Sequence, residues 1–338
     1  MSLADTIKKV SAGRKLDFKR DDIIFEKVIE KYGDSRVYDT QNRLKPVHSI
    51  PDDDWEKEWS HSKNVRLTKL RNDENQIKEL FDLFDTRMTI DYTACGDLLR
   101  FYSQGILTWG DNYFYADCMD GATRTFDYWI HCDHKGTEIE TLDAYRLING
   151  ALRAFNYLEE NGYVLTRFDD QNFYVGSFSE DRPNFFRTMF YGNKNKNTNV
   201  SFANKNKFSP PENESSNIYK SYGYSAGLMT LYAILATNNK KDDFSNSHDK
   251  VGDMIKAAAA LIYKEGCRKP EHKDFFITFF EDLMNKDVEK RVSAKELLTY
   301  KWITECHRLD YEEYQRQLEE IKREKEKEKE EEEKNKLN

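Results

Sequence analysis

The residues best suited to chemistry lie close together in the stretch 167–172. Asp169 and Asp170 carry carboxylates, which accept protons and supply the hard oxygen atoms that Mg²⁺ prefers. Arg167 can do neither, because its guanidinium group stays protonated. Acids in loops are commonly exposed to water, so an ordinary acidic surface turn is the competing interpretation of this stretch.

A second candidate group is His131-Cys132-Asp133-His134, which is dense in residues that bind Zn²⁺. The sequence has no second cluster of such ligands, so a polar turn is favoured and no metal site is predicted. The chain has five cysteines, which are scattered without a CxxC pair. This usage indicates reduced thiols and a protein of the cytoplasm or the nucleus.

The elements around these residues change character along the chain. Residues 23–136 alternate short apolar runs with turns, which predicts strands and one helix near 75–84. From Thr141 to Leu158 apolar residues recur at helical spacing, and most of the remaining sequence also predicts helices. Strands followed by helices are typical of an α+β fold.

Both ends of the chain are polar. Residues 1–22 predict an extension with a short helix and a basic cluster, which is either a docking or localisation patch or a solvated face. Residues 319–336 contain nine acidic and seven basic side chains, which predicts a charged helix exposed to water.

Overall charge and hydropathy limit the kinds of partner and environment expected for the protein. The formal net charge is −8, which argues against broad binding to nucleic acid or to an anionic membrane surface. The most apolar stretches, 226–236 and 257–263, are too short to span a bilayer, so no membrane span is predicted.

Several segments resemble eukaryotic protein kinases. In that family a long helix leads to an H-R-D catalytic loop, and an Asn follows the Asp by five residues. The matching residues here are Arg167 at the Asp position and Asn172, then Ser209-Pro210-Pro211-Glu212 at A-P-E, 222–237 at the central helix, and 283–303 at the closing segment. The resemblance implies a two-lobed fold, with a β-rich lobe at 23–119, a helical lobe at 120–305 and a charged helical or disordered tail at 306–338.

The resemblance also implies that the groups needed for phosphoryl transfer are replaced. Arg167 stands at the catalytic base, Phe190 at the Asp that holds Mg²⁺, Thr68 at the Lys that holds the phosphates, and Tyr222 at the Asp that braces the loop. Two alternatives, called rescues below, would restore a missing group. A strand bulge would turn Lys69 into the cleft as the phosphate-binding lysine, or Asp181 would serve as the metal ligand. The glycine-rich loop is degenerate too, with Glu30, Tyr32 and Ser35 at the glycine positions.

Other matched positions concern binding and the scaffold. Asp117 and Met119 resemble the hinge whose backbone meets an adenine ring, so these residues and Asn172 are the expected contacts of a bound nucleotide. A plain strand end is an equally good interpretation of the hinge segment. Glu212 and Arg291 match the ion pair that links the activation segment of kinases to their last helices.

The leading functional hypothesis is therefore a catalytically inactive kinase-like protein, a pseudokinase, which binds a protein partner such as an active kinase as a scaffold or allosteric regulator. No cofactor is expected, although ATP binding without Mg²⁺ stays open. The alternative is a divergent serine/threonine-type kinase or nucleotidyl transferase that uses acids such as Asp169 or Asp181. In a third hypothesis the charged tail is the working part.

Overall fold

The structure of the protein, a computed structural model, describes residues 2–14, 16, 23–32, 35–42, 63–119, 123–133, 138–176, 185–194, 199–202, 205–215, 217–264 and 271–337. Asp181 and Gly33, the only glycine in the degenerate loop, lie outside these ranges.

The fold is mixed α+β, as the order of the predicted elements indicates. The described α-helices of four or more residues are α1 (Leu3–Val10), α2 (Glu74–Arg87), α3 (Thr141–Glu160), α4 (Ile218–Thr237), α5 (Val251–Ile262), α6 (Glu271–Leu283), α7 (Ala294–Leu297) and α8 (Lys301–Leu337). The strands are β1 (Ile23–Tyr32), β2 (Ser35–Asn42), β3 (Lys63–Lys69), β4 (Phe101–Trp109), β5 (Asn112–Met119), β6 (Thr123–Thr125), β7 (Val164–Leu165), β8 (Phe173–Gly176), β9 (Phe185–Thr188), β10 (Gly192–Asn193), β11 (Val200–Ser201) and β12 (Glu214–Ser215).

The first five strands form one antiparallel sheet in the order β1-β2-β3-β5-β4. Helix α2 begins after Asp73, whose carboxylate accepts from the backbone N–H groups of Asn75 and Gln76. Its apolar side chains at helical spacing are buried in one cluster with core-facing residues of the sheet. Its members include Ile77, Phe81 and Phe84 of the helix and Phe101, Tyr115 and Met119 of the strands.

The N-terminal helix packs on α2. Ile7 is buried in the same cluster. Lys9 Nζ lies 2.8 Å from Glu74 Oε1, and the two Nη atoms of Arg14 each lie 2.6 Å from an aspartate of α2. Two basic residues of the extension, Lys9 and Arg14, thus contact acids of the same molecule.

The helical part is organised around α3 and α4, which are buried along most of their length. Helix α4 is apolar all round, as expected of a helix enclosed by other elements. Gly150 of α3 allows close contact with β9, because a Cβ atom there would lie 2.7 Å from the backbone oxygen of Phe186.

Two small antiparallel sheets position the loop that contains the candidate acids. Strands β6, β8 and β9 form one sheet, and β7 pairs with β10 in another. The stretch 167–172 therefore lies between β7 and β8, and residues 189–191 lie between β9 and β10.

Helix α8 extends from Lys301 to Leu337 without a break, so the predicted tail boundary at 305/306 falls inside a helix. Its beginning packs on the body of the protein. The Trp302 indole donates to Tyr263 Oη at 2.8 Å, and Cys306 is buried. Across the ranges that the structure covers, no helix is long and apolar enough to cross a membrane.

Candidate functional site

The candidate site lies where β3, β5, the end of α2 and the segment 189–191 meet. Its centre is the Asp117 carboxylate on β5. Arg66 lies directly opposite Asp117 in the ladder between β3 and β5, so the two side chains share a face of the sheet. Arg87 is the last residue of α2 and reaches the same carboxylate. We call these three residues the buried arginine cluster.

The geometry of the buried arginine cluster is that of a shared carboxylate. Arg66 Nε donates to Asp117 Oδ1 at 3.0 Å, and its Nη2 donates to Oδ2. Arg87 Nη1 donates to the same Oδ2 at 2.9 Å. Relative exposure is 4% for Arg66 and 0% for both Arg87 and Asp117, so the three charges lie out of contact with water.

The two guanidinium groups also fix the segment 189–191. Arg87 Nε donates to the backbone oxygen of Phe190 at 2.9 Å, and Arg66 Nη1 donates to the Tyr191 hydroxyl. The Arg87 guanidinium lies 3.8 Å from the centre of the Phe101 ring, a cation–π distance. The segment is therefore attached to both β3 and α2.

The buried arginine cluster carries one more positive than negative charge. Burial lowers the pKa of Arg87 to about 10, helped by the like charge of Arg66 and opposed by Asp117. Burial also acts to lower the pKa of Arg66, but the charge and hydrogen bonds of Asp117 outweigh it and the net pKa is raised. The Nη2 atom of Arg87 is buried without a hydrogen-bond partner. Both arginines stay protonated at neutral pH.

The stretch 167–172 is closed by hydrogen bonds of its own. Asn172 Oδ1 accepts from the Asp169 backbone N–H at 2.7 Å, and Asn172 Nδ2 donates to the Arg167 backbone oxygen at 2.7 Å. Arg167 Nε donates to Asp169 Oδ2 at 2.6 Å, and Gln171 N donates to Asp169 Oδ1 at 3.0 Å. Asp169 and Asn172 are thus engaged within the loop.

Asp170 has a different environment. Its Oδ2 lies 3.8 Å from Lys207 Nζ, which is also 3.7 Å from Asp127 Oδ1. Burial raises the pKa of Asp170 to about 6, opposed by Lys207 and reinforced by the like charge of Asp169. Lys207 Nζ lies 4.4 Å from the centre of the Tyr232 ring. The pKa of Asp170 therefore lies well above the ordinary value for an aspartate.

The residues at the other matched kinase positions are mostly buried. Phe190 is fully buried against the Tyr163 ring, with 5.6 Å between ring centres, and Tyr222 is buried against Phe168. Thr68 is buried and shares the Arg66 face of β3.

Of the two rescues, the structure gives no support to the first. Lys69 is exposed. Strand β3 runs in register with both of its neighbours as far as the structure describes them, so no bulge turns Lys69 inward.

Two residues expected at the hinge lie within β5. Met119 is its last residue and is fully buried, while both Asp117 oxygens accept from arginines. Contact between this segment and an adenine ring stays a prediction.

The ion pair expected between Glu212 and Arg291 is present. Arg291 Nη1 and Nη2 donate to the two Glu212 oxygens at 2.7 and 2.8 Å, and Nε donates to the Asn285 backbone oxygen at 2.7 Å. Burial acts to raise the pKa of Glu212, but hydrogen bonds from Arg291 and Ser221 and the Arg291 charge bring it below its ordinary value.

The geometry adds no support for a zinc site in the stretch 131–134. His131 Nε2 lies 3.5 Å from Asp127 Oδ1 and 3.4 Å from the Tyr232 hydroxyl. The Cys132 side chain and His134 lie outside the described residues. In the part of the chain that the structure describes, no three His, Cys, Asp or Glu side chains are arranged to hold a metal ion.

Sequence reasoning missed the buried arginine cluster. A signal for it was present, because Arg87 follows Phe84 by three residues on the apolar face of a helix. Arg66 and Asp117 likewise interrupt apolar strand segments. Three charged residues at core-facing positions of adjacent elements indicate a buried ionic cluster.

Comparison with known proteins adds no relative. No protein-family model matches the chain, and no curated protein is similar to it at a significant level.

Proposed function

We propose that this chain is a kinase-like protein that does not transfer phosphate and acts by binding a protein partner. The order of its elements supports this proposal. A five-stranded antiparallel sheet carries one helix between β3 and β4, and a mainly helical part follows. Short paired strands then flank the stretch 167–172 and the segment 189–191. A kinase-like frame requires this arrangement.

The observation that carries the proposal is the buried arginine cluster. Kinases need a Lys on the third strand paired with a Glu on the helix, and an Asp that holds Mg²⁺. Here α2 supplies a cation, Arg87, and β3 supplies Arg66, which is already paired with Asp117. Phe190 supplies only its backbone oxygen. A cation cannot replace the helix carboxylate, because it would repel a lysine on the third strand; the resemblance moreover places Thr68 at that lysine position.

The chemistry at the loop agrees with this proposal. Arg167 cannot accept a proton from a substrate hydroxyl. Asp169 is hydrogen-bonded to Arg167 and to a backbone N–H of its own loop, which lowers its availability as a base. The frame is nevertheless well held, since Arg291 and Glu212 bridge distant segments. A folded frame without the transfer groups is suited to presenting surfaces to other proteins.

The test measures nucleotide binding and transfer separately. Thermal unfolding is followed with ATP, with and without Mg²⁺; a ligand at 100 times its Kd would add about 2.7 kcal/mol of stability. Transfer is followed with radiolabelled ATP, generic protein substrates and the chain itself. We expect no transfer, and none after Arg167→Asp, because groups that act as a unit do not recover singly.

One observation favours a second function, that of a divergent phosphotransferase. A general base works best when its pKa lies near the working pH, and the pKa of Asp170 is about 6. The transfer assay on Asp170→Asn and Asp169→Asn separates the two functions. Wild-type transfer that Asp170→Asn abolishes would replace the proposed function with this one.

A further inference from the structure

The basic cluster in the extension before β1 surrounds a serine. Lys8 and Lys9 precede Ser11 by three and two residues. Arg14 follows the same serine by three residues. Kinases that select basic substrates recognise such an arrangement, because acidic side chains in their peptide-binding groove pair with cations near the acceptor hydroxyl. The sequence around Ser11 therefore has the charge pattern of a phosphorylation site for a kinase of that type.

The structure leaves this pattern open to another protein. Both lysines are exposed, and the half-buried Ser11 begins the turn 11–13 at the end of α1. Helix α1 has only eight residues, a length at which an isolated helix is marginally stable and its last turn frays. Ser11 can therefore leave the turn and enter an active site while the rest of the protein stays folded.

A second serine has nearly the same neighbours but a different environment. Ser293 follows Lys290 and Arg291 by three and two residues, and a valine precedes and an alanine follows each of the two serines. Arg291 is buried and paired with Glu212. The Ser293 hydroxyl donates to Glu296 Oε2 at 2.8 Å and accepts from the Glu296 backbone N–H at 3.3 Å, at the beginning of α7. Folding thus hides this second copy of the pattern and leaves the first one open.

Charge complementarity holds α1 against α2. The Arg14 guanidinium contacts Asp82 and Asp85, each at 2.6 Å. It also lies 5.1 Å from the centre of the Phe81 ring. The Arg14 backbone N–H donates to the Ser11 backbone oxygen at 3.0 Å, so the arginine and the serine belong to one turn. A phosphate on Ser11 would therefore lie beside the cation that joins α1 to two acids of α2.

We propose that Ser11 is phosphorylated by a separate kinase that selects basic substrates, and that the phosphate releases α1 from α2. In the transfer step the Ser11 oxygen bonds to the γ-phosphorus of MgATP held by that kinase. The bond from this phosphorus to the β–γ bridging oxygen breaks, ADP leaves, and the hydroxyl proton goes to a carboxylate of the kinase. The proposal goes beyond the proposed function and does not depend on it.

The phosphate opposes the docked position of α1. It adds about two negative charges at the C-terminal end of the helix, where the helix dipole is also negative. It competes with Asp82 and Asp85 for Arg14, and it repels both carboxylates. Release of the helix frees Ile7, which is buried in the cluster between α2 and the sheet, and so uncovers apolar surface beside α2.

The experiment treats the full chain with MgATP and a purified serine/threonine kinase that selects lysine or arginine two and three residues before the acceptor. Mass spectrometry locates the phosphate, and a reaction without the added kinase sets the background. A synthetic peptide of residues 5–17 shows that the enzyme accepts the sequence. In the folded chain we expect phosphate on Ser11 and none on Ser293, and Ser11→Ala should abolish the modification of the extension.

Hydrogen exchange of the backbone amides then measures the release of α1. In the phosphorylated chain we expect the amides of α1 to exchange at least about tenfold faster, while those of α3 stay unchanged. Arg14→Gln should speed α1 exchange without phosphate, and phosphate on that variant should add less, because the same contact is already lost.

Three results would overturn the proposal. The first is an unmodified Ser11 in the full chain although the peptide is phosphorylated. The second is equal phosphorylation of Ser11 and Ser293 in the folded chain, which would show that the structure does not select between the two serines. The third is α1 exchange that phosphate on Ser11 leaves unchanged or slows.

Discussion

Among the residues that the structure describes, arginine side chains are buried at two places, and the two places are built differently. Arg291 faces one carboxylate, Glu212, in a two-point pair, and its Nε donates to the Asn285 backbone oxygen. Arg66 and Arg87 share the single carboxylate of Asp117. The first site balances its charge, whereas the second has an excess positive charge and a buried Arg87 Nη2 without a partner.

The difference separates a charge-balanced pair from a cluster with an excess of positive charge. A balanced pair with several hydrogen bonds stabilises a junction between segments, and its removal leaves one buried charge unmatched. The pKa of Arg87 is lowered to about 10, chiefly by burial and then by the like charge of Arg66. The buried arginine cluster lies where the resemblance places the groups of phosphoryl transfer, and the proposed function rests on that resemblance.

The largest effect is expected when the shared carboxylate is neutralised. Asp117→Asn leaves two buried guanidinium groups without a counter-charge, so the free energy of unfolding should fall by about 3–5 kcal/mol. Urea denaturation measures the loss. The matched control is Asp111→Asn in the exposed turn of the same hairpin, which should change stability by less than about 0.5 kcal/mol. Similar small losses of unfolding free energy for both variants would show that Asp117 does not balance the charge of the two arginines.

A smaller loss is expected at the balanced pair. Glu212→Gln should lower the free energy of unfolding by about 2–3 kcal/mol, because Glu212 is 15% exposed and water replaces part of the contact. A double-mutant cycle with Arg291→Gln should give a coupling energy of at least about 1 kcal/mol. A coupling energy near zero would show that the pair does not stabilise the fold.

The same pair has a defined pH dependence. The pKa of Glu212 is lower in the folded protein than its ordinary value of 4.5. Its contribution to stability is therefore present above pH 4.5 and is lost as the pH falls through the folded value. The difference between wild type and Glu212→Gln should shrink in that acidic window.

The substitution Arg87→Met tests the buried arginine cluster by removing one of its two cations. It removes the excess charge and leaves the Arg66–Asp117 pair intact, at the loss of the hydrogen bond to the Phe190 oxygen. We expect stability to fall by only about 1–2 kcal/mol, clearly less than for Asp117→Asn. Urea denaturation of both variants under one condition makes the test. An equal or larger loss for Arg87→Met would show that the packing and hydrogen bonds of Arg87 outweigh the cost of its unmatched charge.

The sequence predicted the parts of the fold that depend on periodicity. Helix α3 begins at Thr141 as the spacing predicts, and strands precede the helices. The Glu212–Arg291 contact could be inferred because both residues match a resemblance. The buried arginine cluster could not be inferred from any one segment, since its members come from β3, α2 and β5 and only tertiary packing brings them together. The environment of Asp170 depends on Lys207. These two residues are far apart along the chain, so the sequence gives no sign of their contact.

Asp170→Asn should change stability modestly and with a characteristic sign. The pKa of Asp170 is about 6 in the folded protein and 3.8 ordinarily, so the folded state binds the proton more tightly. Ionised Asp170 therefore lowers stability, an effect absent below about pH 4 and complete above about pH 6. Relative to wild type, Asp170→Asn should gain about 2 kcal/mol between pH 4 and pH 7.

Urea denaturation across this pH range measures that gain. Asp111→Asn, which replaces an exposed acid in the turn between β4 and β5, is measured alongside as the matched substitution. A flat difference for Asp170→Asn would mean that Asp170 titrates as an ordinary surface acid, which would also weaken the case for it as a base.

The smallest effect is expected in the tail. Truncation after Gln317 removes a segment whose ion pair, Arg323 with Glu319 at 3.9 Å, joins residues of the same helix. Because such a segment has little apolar surface to bury, the melting temperature should change by less than about 1 °C. Truncation after Ile303 is the contrasting control, because it also removes buried Cys306 and the Asp310 contact to Arg146. That shorter chain should melt several degrees lower, and a similar drop after Gln317 would show that the charged segment docks on the body.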